Sequence, residues 1–362
     1  MRFLRHFTSV VLAALAVTVP AHVARAARQS YTFTKIADNI GPLLGMANAT
    51  VNNRGTVAFQ ATLRAGGSAV MMGNGETLVT VADSSIFPDF NAPSINDQDA
   101  VVFSVRAANS GAGFAIYAAT RDGLIRIADL ADGPFVDLNS LAVVNNRGYV
   151  VFWGQLAAGG ERIAGRDIQG GIVETIVETN GIFGGFDQAP TVNNSGVVAF
   201  TATLQSGVRG IFTARGRAMT TIADSTGPFH VFSGGLTVNE RGSVAFHAIE
   251  DQGVAGIFVG TQKGVIQQIA DDGSTLTNLR TGAAINNEGI VAFTGSQVGG
   301  GAGIYTGPDP DDDAVVRSGD VIDGRVVTGV QFFRGLNNQG QVAFVAFFTG
   351  NYSAVYRASP EQ

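Results

Sequence analysis

No cysteine occurs in the 362 residues. That removes disulfides, thiolate catalysis, zinc ribbons and iron–sulfur clusters together. It does not restrict the compartment, because a chain of this length can bury a sufficient core without cross-links. Charge is also scarce: 14% of residues are charged against 45% hydrophobic, and 10 prolines stand against 48 glycines. Such a profile is too apolar for disorder and describes a packed core interrupted by many tight turns. Signatures of chemistry are missing too. There is no H-E-x-x-H, nucleophile elbow, Walker loop or dinucleotide fingerprint. Gly299-Gly300-Gly301-Ala302-Gly303 reads as a strand-to-strand turn, since no helix pattern follows it to receive a phosphate.

What is present begins at the N-terminus. Arg2 and Arg5 precede an uncharged apolar stretch from Phe7 to Val19, and Ala24-Arg25-Ala26 supplies the small residues of an A-x-A cleavage site. This is the pattern of a secretory signal peptide over residues 1–26. The apolar stretch falls short of the ~20 residues a membrane-spanning helix needs. No later run is longer, and the chain ends in polar residues, so the mature protein is expected to be soluble, in the periplasm or outside the cell. Cleavage takes three arginines and no acid from the 23 basic and 29 acidic residues, leaving a net charge of about −9. An acidic surface repels phosphate backbones and anionic lipid, so neither nucleic acid nor a membrane surface is an expected partner.

The rest of the chain is repetitive. Val51-Asn52-Asn53-Arg54-Gly55-Thr56-Val57-Ala58-Phe59 returns with variations at Ile95, Val144, Val192, Val238, Ile285 and Leu336. Successive starts are 44, 49, 48, 46, 47 and 51 residues apart. Each copy reads as a hairpin. The first Asn ends a strand, and the second is expected to fold its side chain back to start the turn. The Gly supplies the positive φ, a place that Asp99 takes in the second copy. The β-branched and aromatic residues after it form the next strand.

Two further strands complete each unit. One is a short apolar piece such as Gly210-Ile211-Phe212. The other ends in Ile/Val-Ala-Asp, as at Asp83, Asp129, Asp224 and Asp271. Four antiparallel strands per ~47 residues is the content of a propeller blade. The last unit has only three strands, while an orphan segment at residues 31–38 matches the missing fourth. The expected fold is therefore all-β: one domain over residues 27–362, a seven-bladed β-propeller of four-stranded blades closed by the N-terminal strand. A linear solenoid would need polar caps that the ends do not show.

The NNxG turns with their Val/Ile-Ala-Phe phrase resemble the NxxGxxAF tandem-repeat family of bacterial secreted and surface proteins, in seven in-phase copies over nearly all of residues 31–357. The resemblance implies export and a repeat fold, and it implies no enzymatic activity. Surface anchoring, common in that family, has no matching signal here.

Candidate site residues are few. The Asp ending each outer strand can accept backbone N–H bonds from the crossing to the next blade, or the set can form a cation-binding rim. Glu178 and Ser318 interrupt that series. Asp309, Asp311 and Asp313 have the alternate spacing of a calcium loop, with Asp320 at its twelfth position. Ala314 stands where such a loop needs glycine, so calcium is a minor possibility beside a plain solvated turn. After export only His230 and His247 remain of the histidines. His247 occupies a position that varies from blade to blade and reads as packing. Phe87 and Phe90, Phe183 and Phe186, and Phe229 and Phe232 form aromatic pairs near the crossings. They read as inter-blade core in preference to sugar platforms.

The NNxG turns are short and uniform, whereas the crossings vary and carry His230, Arg280 and Arg334. Recognition is therefore expected on the crossing face. The expected function is an exported, non-enzymatic, monomeric recognition or scaffold propeller with a protein or polysaccharide ligand and no cofactor. The alternatives are a carbohydrate hydrolase or lyase with its site at the axial mouth, and a calcium-dependent binding module.

The signal peptide carries the first prediction. Protein recovered from the periplasm or medium should begin at Ala27, and its intact mass should lack residues 1–26. Mature material that retains Met1 would refute the assignment.

Overall fold

The computed structural model describes residues 29–361 apart from 107–113, 132, 139–140, 188, 274 and 281. The expected signal peptide lies outside the described residues. Within them the chain is all-β, with seven antiparallel sheets and one 3-10 turn at Thr349–Asn351. No helix among the described residues is long and apolar enough to cross a membrane.

The seven sheets are the blades of a propeller. In blade 1 the strands run Leu43–Val51, Val57–Leu63, Ser68–Gly73 and Leu78–Asp83, from the axis outward. The Ala-Phe phrase lies on the second strand, where alternate side chains face opposite sides of the sheet. Phe59, Phe103, Phe152, Phe200, Phe246, Phe293 and Phe344 are all fully buried. So are their predecessors Ala58, Val102, Val151, Ala199, Ala245, Ala292 and Ala343. Each small residue shares a cluster with the Phe of the following blade, as Ala58 does with Phe103 and Ala245 with Phe293. Ala343 shares one with Phe59, across the junction between the last blade and the first. A flat residue on one face and a bulky ring on the other let neighbouring blades interdigitate. Burying each ring contributes roughly 1.5–3 kcal/mol.

The NNxG turns do more than reverse the chain. As expected, Gly55, Gly148, Gly196, Gly242, Gly289 and Gly340 have φ between 73° and 90°, and Asp99 stands in at 59°. The two asparagines exchange the roles assigned above. It is the first that folds back: Asn52 Oδ1 accepts the N–H of Arg54 and of Thr56. Its Nδ2 then donates to the Asn96 carbonyl of the next blade at 2.9 Å. The same bond runs from Asn96 to Asn145, Asn193, Asn239, Asn286 and Asn337, and from Asn337 back to Asn52, at 2.8–3.2 Å. These seven asparagines are between 3% and 6% exposed.

The second residue of each turn builds a parallel ring. Its backbone N–H donates to the side-chain oxygen of its counterpart one blade on. Asn53 donates to Asp97, Asp97 to Asn146, Asn146 to Asn194, Asn194 to Glu240, Glu240 to Asn287, Asn287 to Asn338, and Asn338 to Asn53. The position requires an acceptor oxygen rather than an amide, which is why Asp97 and Glu240 replace asparagine there.

The ring closes as expected. Tyr31–Asp38 pairs antiparallel with Ser353–Pro360, from Tyr31 opposite Pro360 to Asp38 opposite Ala354. Phe33 packs edge-on against Phe344, with ring centroids 6.2 Å apart. The last blade thus takes three strands from the end of the chain and its outermost strand from the start.

Two predictions follow from this architecture. A chain beginning at Ala49 should aggregate or melt well below the intact protein, because it leaves an apolar strand edge unpaired. Cysteines placed at Thr32 and Ser359, which lie directly opposite each other, should crosslink on oxidation. Monomeric truncated protein with unchanged melting and no crosslink would contradict the closed ring. For the asparagine ring, Asn193→Ala strands the Val197 N–H and removes a donor from the Asn239 carbonyl. It should cost about 1–3 kcal/mol per orphaned buried group. Asn193→Asp keeps the turn acceptor yet should not restore stability, since its carboxylate faces a carbonyl. A thermal or urea melt that places the Asp variant at wild-type stability would show that the inter-blade bond contributes little.

Candidate functional site

The inner strands line the axis, and they are the least regular part of each blade. In blades 3, 4 and 6 the inner strand is split into two short pieces, as at Phe183–Phe186 and Thr191–Val192. In blades 1, 5 and 7 its pairing slips at mid-length, between Ala47 and Thr50, Ser233 and Thr237, and Phe332 and Leu336. Bulges of this kind re-aim side chains.

The two arginines assigned to the crossings lie within this irregular layer instead. Arg334 is inside the inner strand Arg325–Leu336 of blade 7, at the bulge, with a left-handed φ of 53°. Its Nη2 donates to the Ala189 carbonyl of blade 4 at 3.3 Å. In a seven-membered ring blade 4 stands opposite blade 7, so this side chain spans the axis. No carboxylate pairs with it among the described residues. Its Nε is buried without a partner, and burial pushes the guanidinium down to about 10. Arg280 lies between the two inner-strand pieces of blade 6, its N–H bonded to the Thr294 carbonyl at 3.1 Å and its side chain exposed. His230 alone of the three is at the crossing-face rim. It is exposed, with Nδ1 4.0 Å from the Asp251 carboxylate.

Amides supply most of the remaining polarity at this level. Asn48 donates its side-chain amide to Gln60 Oε1 and its backbone N–H to Gln331 Oε1. His247 is buried with Nδ1 3.0 Å from Ser233 Oγ, and burial pushes its pKa down against the opposing pull of Asp272. The aromatic pairs are core: Phe90, Phe183, Phe186, Phe229 and Phe232 are each at most 8% exposed and lie edge-on or tilted against one another and the blade phenylalanines.

One cluster at the boundary of blades 3 and 4 has no counterpart in the reading of the sequence. Glu161 Oε2 accepts the Trp153 indole N–H at 3.1 Å and the Phe186 backbone N–H at 2.7 Å. Arg209 Nη2 donates to both Asp187 oxygens, at 2.9 and 3.1 Å. Burial raises the Asp187 carboxyl despite Arg209, and the charge of Glu161 adds to the rise. Each residue sits at a position that varies between blades, so no repeat signal marks it.

The acidic residues at strand ends act as turn caps. Asp38, Asp83, Asp129 and Asp224 accept the N–H two residues on at 2.9–3.0 Å. Burial alone would raise the Asp38 carboxyl, but the Ile40 N–H, Lys35 and Tyr352 together hold it below its usual value. Asp309, Asp311 and Asp313 lie in the hairpin between Ala302–Tyr305 and Ala314–Arg317. Asp309 accepts the Asp311 and Asp312 N–H groups, Asp313 the Asp309 N–H, and Asp320 the Arg317 N–H, while Asp311 pairs with Arg317 at 2.8 Å. Among the described residues no three acidic or histidine side chains converge as a metal site would require.

Comparison with known proteins adds fold and family. No curated protein matches the sequence. The structure is similar to an oligogalacturonate lyase from Vibrio parahaemolyticus, at 13% identity over 92% of this chain and 98% of that one, with a TM-score of 0.59. It is also similar to a puromycin hydrolase, at 12% identity, 85% and 50% coverage and a TM-score of 0.55. A puromycin-hydrolyzing peptidase from Mycobacterium tuberculosis matches at 14%, 91% and 55%, and 0.51. This chain spans about half the length of the two hydrolases. At such identities the likeness is one of fold. A family model matches residues 170–359, half of the repeat array, and the chain belongs to that family, the Family of unknown function (DUF7453).

Proposed function

We propose that this protein is an exported, non-enzymatic recognition propeller that takes a protein or polysaccharide ligand at its crossing face and the axial channel opening there. One observation carries the reading. The side chains that frame the NNxG mouth are engaged with one another in two closed rings, while Arg334, reaching across to blade 4, and the exposed Arg280 of the inner layer have no acidic partner among the described residues. Binding energy comes from donors left unsatisfied by the fold. The A-x-A motif and the likeness of the repeat to the NxxGxxAF proteins support an envelope or extracellular setting.

The Glu161–Asp187 cluster favours a second reading, a carbohydrate-active enzyme, because a carboxyl raised by burial beside a second carboxylate is what acid catalysis uses. Both carboxylates are nevertheless tied to fixed partners, Trp153 and the Phe186 N–H for one and Arg209 for the other. That leaves neither free to move a proton to a substrate.

A glycan and polysaccharide array should yield binding without turnover of any bound glycan. The double change His230→Glu with Arg280→Glu should weaken that binding at least about tenfold. Arg54→Glu with Arg147→Glu, on the opposite face, should leave it unchanged. Loss of binding only in the second pair would move the site to the NNxG face, and product release would favour the enzyme.

A further inference from the structure

Arg334 is hard to explain as a structural residue. An enclosed cation is ordinarily paired, because removing it from water without a counter-charge is expensive. Among the described residues its hydrogen bonding is a 3.3 Å contact to the Ala189 carbonyl, its Nε is buried without a partner, and no carboxylate pairs with it; the Phe333 ring lies 5.6 Å below the guanidinium. Its backbone is left-handed at φ 53°, a conformation that disfavours a long side chain. A part-buried guanidinium without a counter-charge and a left-handed backbone at one residue are features that concentrate at ligand sites.

The surroundings point to the sign of the ligand. The chain as a whole is acidic, at −6. The inner-strand bulges nonetheless carry neutral polar groups, Asn48, Gln331 and Ser233, which bond to one another or to the adjoining strand. Arg280, on the neighbouring blade, adds a second guanidinium with no acidic partner among the described residues. Two guanidiniums without acidic partners among the described residues, Arg334 part-buried and Arg280 exposed on the neighbouring blade, give this part of an acidic protein a local positive potential. Because Arg334 reaches across the axis, a ligand entering from the crossing face meets its guanidinium end-on. A terminal acid group would reach it, whereas the middle of a linear chain would not.

We propose that the axial channel is a carboxylate-binding site in which Arg334, supported by Arg280, holds the acid group of a chain-end or monomeric uronic-acid-type ligand. The proposal rests on the recognition reading above and narrows it to one chemical class. Guanidinium–carboxylate bonds are charge-assisted and directional, and this ligand would supply the counter-charge that the fold withholds.

The test is calorimetric titration of the intact mature protein, in low-salt buffer, with D-glucuronate, D-glucose and inorganic phosphate. Glucuronate should bind, glucose should not, and phosphate should bind at least about tenfold more weakly. Arg334→Met should abolish glucuronate binding. Its melting temperature without ligand should equal or exceed that of the wild type, since a desolvated charge is gone. Arg334→Lys, which keeps a charge but not the fork, should retain weakened binding. Wild-type melting should rise with added glucuronate, and Arg334→Met melting should not. Glucuronate binding that survives Arg334→Met would overturn the proposal. So would a wild-type protein that binds no glucuronate, or one that prefers phosphate. The broader recognition reading then stands or falls on its own test, glycan-array binding that survives Arg334→Met and is lost with His230→Glu.

Discussion

The rest of the molecule depends on one side-chain amide, used seven times. The first asparagine of each turn satisfies its own turn through Oδ1 and its neighbour's carbonyl through Nδ2. An amide at this site can do both, because it carries an acceptor and donors on one planar group. Aspartate would lose the donor, and serine would not reach. Because the groups are buried, a gap in the ring would leave a carbonyl short of a donor in a dry place. The penalty for an unmade bond there exceeds the gain from a made one. The ring therefore also specifies number. With seven units the bond from Asn337 returns to Asn52 at 2.9 Å, the same length as within the series. Closure is imposed at the axis by these amides and at the rim by Tyr31–Asp38 pairing with the end of the chain.

The architecture was legible because a propeller states its rules repeatedly. Blade number, strand content and the borrowed N-terminal strand all follow from a period and an overhang, and neither needs a three-dimensional argument. The chemistry inside the turn was less legible. Two adjacent asparagines are equally able to form an Asx turn in isolation, so no single copy says which one faces inward. The acidic substitutions Asp97 and Glu240 held the answer. They occur only at the second position, where a side-chain oxygen suffices, and never at the first, where a donor is also required.

The candidate site was legible only in part, for a related reason. Periodicity reveals what every blade shares, whereas a binding site is made of what the blades do not share. Arg280 and Arg334 stood out as arginines outside the repeat phrase, but their depth in the channel depends on bulges that single-strand patterns do not announce. Glu161 and Arg209 belong to strands of two blades, Asp187 directly follows the strand Phe183–Phe186, and no sequence relation would have linked them. The Asp309–Asp313 run shows the reverse case. Its spacing suits calcium, while in the structure Asp309 and Asp313 accept N–H groups of their own turn and Asp311 pairs with Arg317.

These two levels are physically connected. The rings hold the NNxG ends of all seven inner strands in a fixed circle, and the Phe-on-Ala stacking fixes the blades behind them. With both constraints met outside the channel, the middle of each inner strand is relieved of any structural duty. It can slip register, break into pieces or adopt left-handed backbone without opening the propeller. A scaffold of this kind tolerates strain at Asn48 and Arg334 because the cost is carried by well-made bonds a few residues away. It also explains how an unpaired cation can persist at the centre of an acidic, otherwise well-satisfied protein. In a lone hairpin such a residue would swing into solvent. Between seven fixed strands it is held where a ligand must meet it.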